Sequence, residues 1–229
     1  MFALSKTNKQ ITKVMRKQIL SITAIAVAVA LQSCGGEKAA ETTEEPVEEV
    51  AEATPENWMV DTESSMVMWE GGTSGAQVYS HNGNIAITEG SLVTTDGSIT
   101  AGKVVIDMTT IMPTDAESFS YSEQLSKEDL IGHLMSPDFF DAENHPTAMF
   151  EVTGSEGNTV NGNLTVRGKT NPESLTIESM EVAEDGSAMI KGSMTFDRQK
   201  YDVAWEHYLQ DVILSDDIKL DFNITAKKA

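Results

Sequence analysis

Four histidines, a single cysteine and two arginines at strand ends are the side chains of this 229-residue chain best suited to chemistry. His81, His133, His145 and His207 are scattered, with no pair at i, i+4 and no His-Glu-x-x-His. A zinc centre needs ligands at tight local spacing, each imidazole backed by a second group, so no metal site is expected. No Gly-x-Ser-x-Gly elbow marks a serine hydrolase, and no glycine-rich loop leads into a helix to cradle phosphate. Paired carboxylates are uninformative in a chain with 36 Asp and Glu. The expectation is a domain with no catalytic residue and no cofactor. His133 borders the apolar Leu130, Ile131 and Leu134 and is expected to hydrogen-bond at a helix exit. Arg167 and Arg198 are open to two roles, a salt bridge that closes a sheet or a contact to a ligand head.

Charge divides the chain. Five of its 16 basic residues (Lys6, Lys9, Lys13, Arg16, Lys17) and none of its acids lie in residues 1–33, which leaves 11 basic against 36 acidic residues beyond. Such a surface repels phosphate backbones and excludes nucleic acid as a partner. Ile19 to Leu31 is uncharged; it suits a signal-peptide core and is shorter than the ~20 residues that span a bilayer. Leu31-Gln32-Ser33-Cys34-Gly35-Gly36 then resembles a bacterial lipoprotein box, with small residues around the cleavage point and a thiol to carry lipid. Residues 1–33 are therefore expected to be a lipoprotein signal peptide, with Met15 an alternative start, and Cys34 the lipidated residue. Residues 34–57 form an expected disordered acidic tether, with eight glutamates between 35 and 57 and no aromatic residue. The expected domain is 58–229, held to a membrane through acylated Cys34, in the cell envelope at the outer membrane.

From Trp58 onward, short alternating runs are separated by turn residues. Strands are predicted at 66–69, 84–88, 103–108, 148–153, 160–166, 174–182, 188–196 and 218–226. Asp96-Gly97, Gly157-Asn158, Asn161-Gly162 and Asp185-Gly186 offer hairpin or bulge chemistry. Ile218, Leu220, Phe222, Ile224 and Ala226 share one face of the last run, and Ala188, Ile190, Gly192, Met194 and Phe196 one face of the run before it. Met66 and Met68 are read as inward core at period two. Ser126 followed by Asp129 forms a capping box, and Ser136-Pro137 stops the helix that it starts. Adjacent Phe139 and Phe140 bury apolar area where the chain turns back. One-sided strands must bury their apolar face, and about eight of them with one helix suit either a barrel or a two-sheet sandwich. Patterning alone leaves those two open, and it leaves a solid core ahead of a hollow one.

The order His133-Leu-Met-Ser-Pro-Asp-Phe-Phe-Asp141, Pro146-Thr-Ala-Met-Phe150 and Gly162-Asn-Leu-Thr-Val-Arg-Gly168 resembles the YceI-like family. So do Val60-Asp61 with Ser65 at the start and Asp216-Asp-Ile-Lys-Leu-Asp-Phe-Asn-Ile-Thr-Ala226 at the close. The chain departs from the family after Asp197-Arg198, where Gln199-Lys200-Tyr201-Asp202 replaces a glycine-containing turn. The resemblance implies an all-β fold, an antiparallel lipocalin-like eight-stranded barrel with a short helical insertion, holding a polyisoprenoid lipid. The ligand-binding set it implies is Phe139, Phe140, Phe150, Leu164, Phe196, Trp205, Leu220 and Phe222 inside, with Arg167 and Arg198 at the mouth. The expected function is sequestering or carrying an isoprenoid-type lipid without catalysis; the alternative is a ligandless structural or stress-response module with a packed barrel. A homodimer stays open.

Overall fold

The computed structural model describes residues 54–115, 126–207 and 209–229. The proposed signal peptide, Cys34 and the tether up to residue 53 lie outside the described residues. Ten strands follow in order: β1 (Glu56–Val60), β2 (Met66–Gly75), β3 (Ser80–Thr95), β4 (Ser98–Pro113), β5 (Thr147–Glu156), β6 (Thr159–Val166), β7 (Lys169–Val182), β8 (Ser187–Asp197), β9 (Val212–Leu214) and β10 (Asp217–Lys228). Helix α1 (Lys127–Met135) lies between β4 and β5, and a 3₁₀ turn, Arg198–Tyr201, follows β8. All eight predicted strands fall inside observed ones. The strand start at Glu56 precedes the expected domain start by two residues, because Glu56 and Asn57 pair with Thr94 and Val93.

Eight antiparallel strands close on themselves. The ladder runs β2-β3-β4-β5-β6-β7-β8-β10, and β10 returns to β2 through Leu220↔Trp69 and Phe222↔Val67. The sheet is therefore a barrel, and closure removes the unpaired edges that an open sheet exposes. β1 continues the line of β2 between β10 and β3, with Val60↔Ala226 and Trp58↔Leu92. Across the break at 61–65, Ser65 Oγ replaces the missing ladder: it accepts from Thr225 N at 3.0 Å and donates to Thr225 O at 3.3 Å. The Asp61–Ser65 spacing thus patches an interrupted strand.

Local chemistry explains the connections. Asp96 and Gly97 both have positive φ (51° and 77°), as do Arg167 and Gly168 (48° and 71°); that is the type I′ geometry whose twist matches hairpin strands. Asn161-Gly162 is not a turn: it sits within β6, opposite a register shift in β5 between Val152 and Gly154. The predicted box caps α1, with Asp129 N donating to Ser126 Oγ at 3.1 Å and Ser126 N to Asp129 Oδ2 at 2.9 Å. At the other end Ser136 is extended and ends the helix. Phe140 N then donates to Leu134 O, folding the Phe139-Phe140 corner back under α1.

The phase of β2 reverses the expectation for its methionines. Met66 and Met68 point outward, 44% and 40% exposed, and Val67 and Trp69 point in. A strand's period of two allows either face, and a slip of one residue exchanges them. Pairing decides it here: Trp69 stands opposite Gly83, and a Cβ added to Gly83 would lie 2.7 Å from the indole. Two further inward glycines do the same for Phe150 (over Gly162) and Phe222 (over Gly192), at 2.4 Å each. Phe150 and Phe222, with Trp58, Leu92, Ile99, Val160 and Ile190, fill the half of the barrel that β1 closes.

Candidate functional site: an apolar cavity under α1

The other half is hollow. A cavity of about 780 Å³ occupies it, within the ~300–1,000 Å³ usual for small-molecule sites. Its floor and walls come from barrel interior positions, including Val67, Trp69, Ile85, Ile106, Met108, Leu164 and Val166. α1 lies over this end and contributes Asp129, Leu130, His133 and Leu134; the segment after the 3₁₀ turn contributes Trp205, His207 and Leu209. The exposed Gln77 and Val78 mark the mouth.

One wall is a continuous run of edge-to-face rings. Phe140 meets Phe139 at 4.8 Å between centroids, Phe139 meets His133 at 5.4 Å, His133 meets Trp205 at 4.5 Å, and Trp205 meets His207 at 5.8 Å. His133 thereby joins α1 to the segment that follows β8. Its Nε2 is buried without a hydrogen-bond partner, and so is Trp69 Nε1. Burial holds the His133 pKa below its ordinary value, with Asp138 pulling the other way, so the ring is an uncharged packing element near neutral pH. The helix-exit position is as expected, whereas the hydrogen bond expected of this ring is not made at Nε2.

The family model for the YceI-like domain matches residues 58–226. This chain belongs to the YceI-like family. A UPF0312 protein of Staphylococcus aureus is 33% identical over 96 residues, a match covering 39% of this chain and 56% of that relative; the chain thus spans little more than half the length of that curated relative. The crystal structure of Burkholderia cenocepacia BcnA superposes with a TM-score of 0.54 at 17% identity, covering 73% of this chain and 99% of that one, which shows the shared fold. A domain from Saccharophagus degradans described as polyisoprenoid-binding gives 0.46 at 11% identity over 75% of this chain and 98% of its own.

Within this YceI-like barrel, Phe139, Phe140, Leu164, Phe196, Trp205 and Leu220 line the cavity. Four residues of the expected set do not. Phe150 and Phe222 are spent on covering Gly162 and Gly192 in the filled half. Arg167 turns its guanidinium to the carbonyls of Asp202 and Pro137, joining the β6–β7 turn to the corner after α1. Arg198 is almost wholly buried: Nε donates to Ser215 O at 2.9 Å, Nη1 to Trp205 O at 3.0 Å and to Val203 O, and Nη2 to Asp216 Oδ1 at 3.0 Å. Both arginines are fasteners, and neither lines the cavity. The Gln199–Asp202 departure is accommodated because Asp202 takes the left-handed conformation (φ 58°) that a glycine would supply. The expected set lacked Val67 and Trp69; their Val-x-Trp alternation was visible, but its phase was not. Among the described residues no group of three His, Cys, Asp or Glu could hold a metal ion.

Proposed function

We propose that this YceI-like protein is a non-catalytic lipid-binding protein of the cell envelope that sequesters or carries a polyisoprenoid-type chain in the cavity under α1. The observation that carries the reading is the cavity itself, whose deep lining is aliphatic and aromatic. A flexible hydrocarbon needs no directional partner there, since each buried methylene contributes about 0.8 kcal/mol. Family membership supports the same reading, and a hollow half-barrel counts against a ligandless packed module. The sequence has no Gly-x-Ser-x-Gly elbow and no His-Glu-x-x-His motif, which favours carriage over chemistry. Cys34, acylated, would anchor the chain, with residues 35–53 as spacer to the barrel.

Two experiments test this. Organic extraction of the purified full chain, followed by mass spectrometry, should yield a long isoprenoid-type lipid; protein that is repeatedly lipid-free and takes up no isoprenoid would refute carriage. Metabolic palmitate labelling should disappear in Cys34→Ala, and label that persists would sink the anchor.

A further inference from the structure

The outer wall of the barrel carries sulfur at positions where a solvent-facing strand ordinarily carries polar groups. Met59 on β1, Met66 and Met68 on β2, Met112 on β4 and Met189 on β8 all point outward, between 40% and 55% exposed. Met is otherwise among the residues most often buried. Across the ladders, the neighbours of these five are polar. Met59 stands between Lys227 and Ser91, Met66 beside Asn223, and Met68 between Asp221 and Asn84. Met112 adjoins Asn84 from the other side, and Met189 lies between Thr225 and Glu181. A docking face needs continuous apolar area, and these amides, hydroxyls and charges interrupt it. What the five share is an accessible thioether. Cys34, the single cysteine, lies outside the described residues, so among the described residues all sulfur is thioether.

We infer that these five methionines form a sacrificial modification site, which peroxides convert to sulfoxides while the barrel stays folded. The sulfur attacks the terminal oxygen of the peroxide: an S–O bond forms, the O–O bond breaks, and sulfur gives up two electrons. The other oxygen takes the proton of the transferred hydroxyl and leaves as water or an alcohol. A methionine sulfoxide reductase reverses the step, a dithiol becoming a disulfide as the sulfoxide oxygen departs as water. On the outer wall the new oxygen turns to solvent. Met108 and Met194, 6% and 8% exposed in the core, have no such outlet, and a sulfoxide there buries an acceptor without a donor. An oxidant arriving from solvent therefore meets five sulfurs that can absorb it before the two that cannot. The inference holds whatever the cavity carries.

Hydrogen peroxide is the probe. The full chain is treated with graded amounts and mapped by peptide mass spectrometry, with circular dichroism and gel filtration alongside. The five outward methionines should gain oxygen at least about fivefold faster than Met108 and Met194, with the barrel spectrum unchanged. Equal rates at Met108 or Met194, or a spectrum lost as the outer five react, would overturn the inference. So would a dimer that oxidation dissociates, since the methionines would then be an interface between copies. The triple variant Met66→Leu, Met68→Leu, Met112→Leu keeps apolar side chains at these positions and removes their sulfur. With peroxide limiting, oxidation of Met108 and Met194 should rise about twofold in that variant, because fewer fast-reacting thioethers compete. An unchanged yield would show that the outer set spares nothing.

Discussion

Replacing Arg198 with methionine removes one guanidinium and takes its donors from three backbone carbonyls. Its side chain is 2% exposed and fastens β8 to the carbonyls of Val203, Trp205 and Ser215 and to Asp216. These bonds hold the segment that carries Trp205, His207 and Leu209 over the cavity. Bonds to a charged donor contribute about 1.5–3 kcal/mol each in isolation, but they share one desolvation cost and are not additive. Burial is the main influence on this group and lowers its pKa, opposed by Asp216, Asp197 and Glu206. Breaking such a buried cluster by removing one member costs about 3–5 kcal/mol, which for a domain of this size is a drop of about 6–20 °C in Tm. Urea unfolding followed by far-ultraviolet circular dichroism measures the first, and a thermal melt the second. Arg198→Lys keeps the charge but not the planar fork and should recover less than half. Asp216→Asn is the control: that carboxylate is 56% exposed, so its loss should cost less than about 1 kcal/mol. The variant should also release bound lipid faster, because Trp205 loses its support. A loss below about 1 kcal/mol in Arg198→Met, with lipid release unchanged, would refute the fastener role.

Three other outcomes follow from the same geometry. Ala148→Phe, at a buried cavity position, should fill the void and abolish lipid co-purification while the barrel's circular dichroism persists; retained lipid would mean that the ligand lies elsewhere. His133, its pKa lowered from 6.5 mainly by burial, binds a proton more readily when unfolded, so stability is complete above about pH 6.5 and falls as the pH drops from there toward the folded-state value. His133→Phe should flatten the change in Tm between about pH 7.5 and 5.5, a window above that of the depressed carboxylates Asp61, Asp129, Asp185 and Asp202; an unaltered pH slope would assign the effect to another group. Gly192→Ala places a Cβ 2.3 Å from Thr176 O and 2.4 Å from the Phe222 ring, and should destabilise by about 2–4 kcal/mol in urea titration. A neutral result would mean that both the Phe222 ring and the Thr176 backbone can give way.

The sequence by itself determined what neighbouring residues can settle among themselves. Ser126 and Asp129 cap α1 because the partners are three residues apart. Asp96-Gly97 turns because its own backbone conformations allow it, and the alternation in β8 and β10 marks a buried face because side chains on a strand alternate. The resemblance of the Phe139-Phe140 and Arg167-Gly168 motifs pointed to the family as well. Only the tertiary structure decided the rest, and each part of it depends on residues far apart in the chain. Closure into a barrel rests on β2 meeting β10, as in Phe222↔Val67. That pairing, with Gly83 under Trp69, turned Val67 and Trp69 inward and Met66 and Met68 out. Whether the interior is solid or hollow is a balance of side-chain volumes over the whole ring. Phe150 and Phe222 cover glycines in one half, while the other half, under α1, holds the cavity. The arginines are the sharpest case: their types suited a head group, but the carbonyls that bind them were brought there only by the fold.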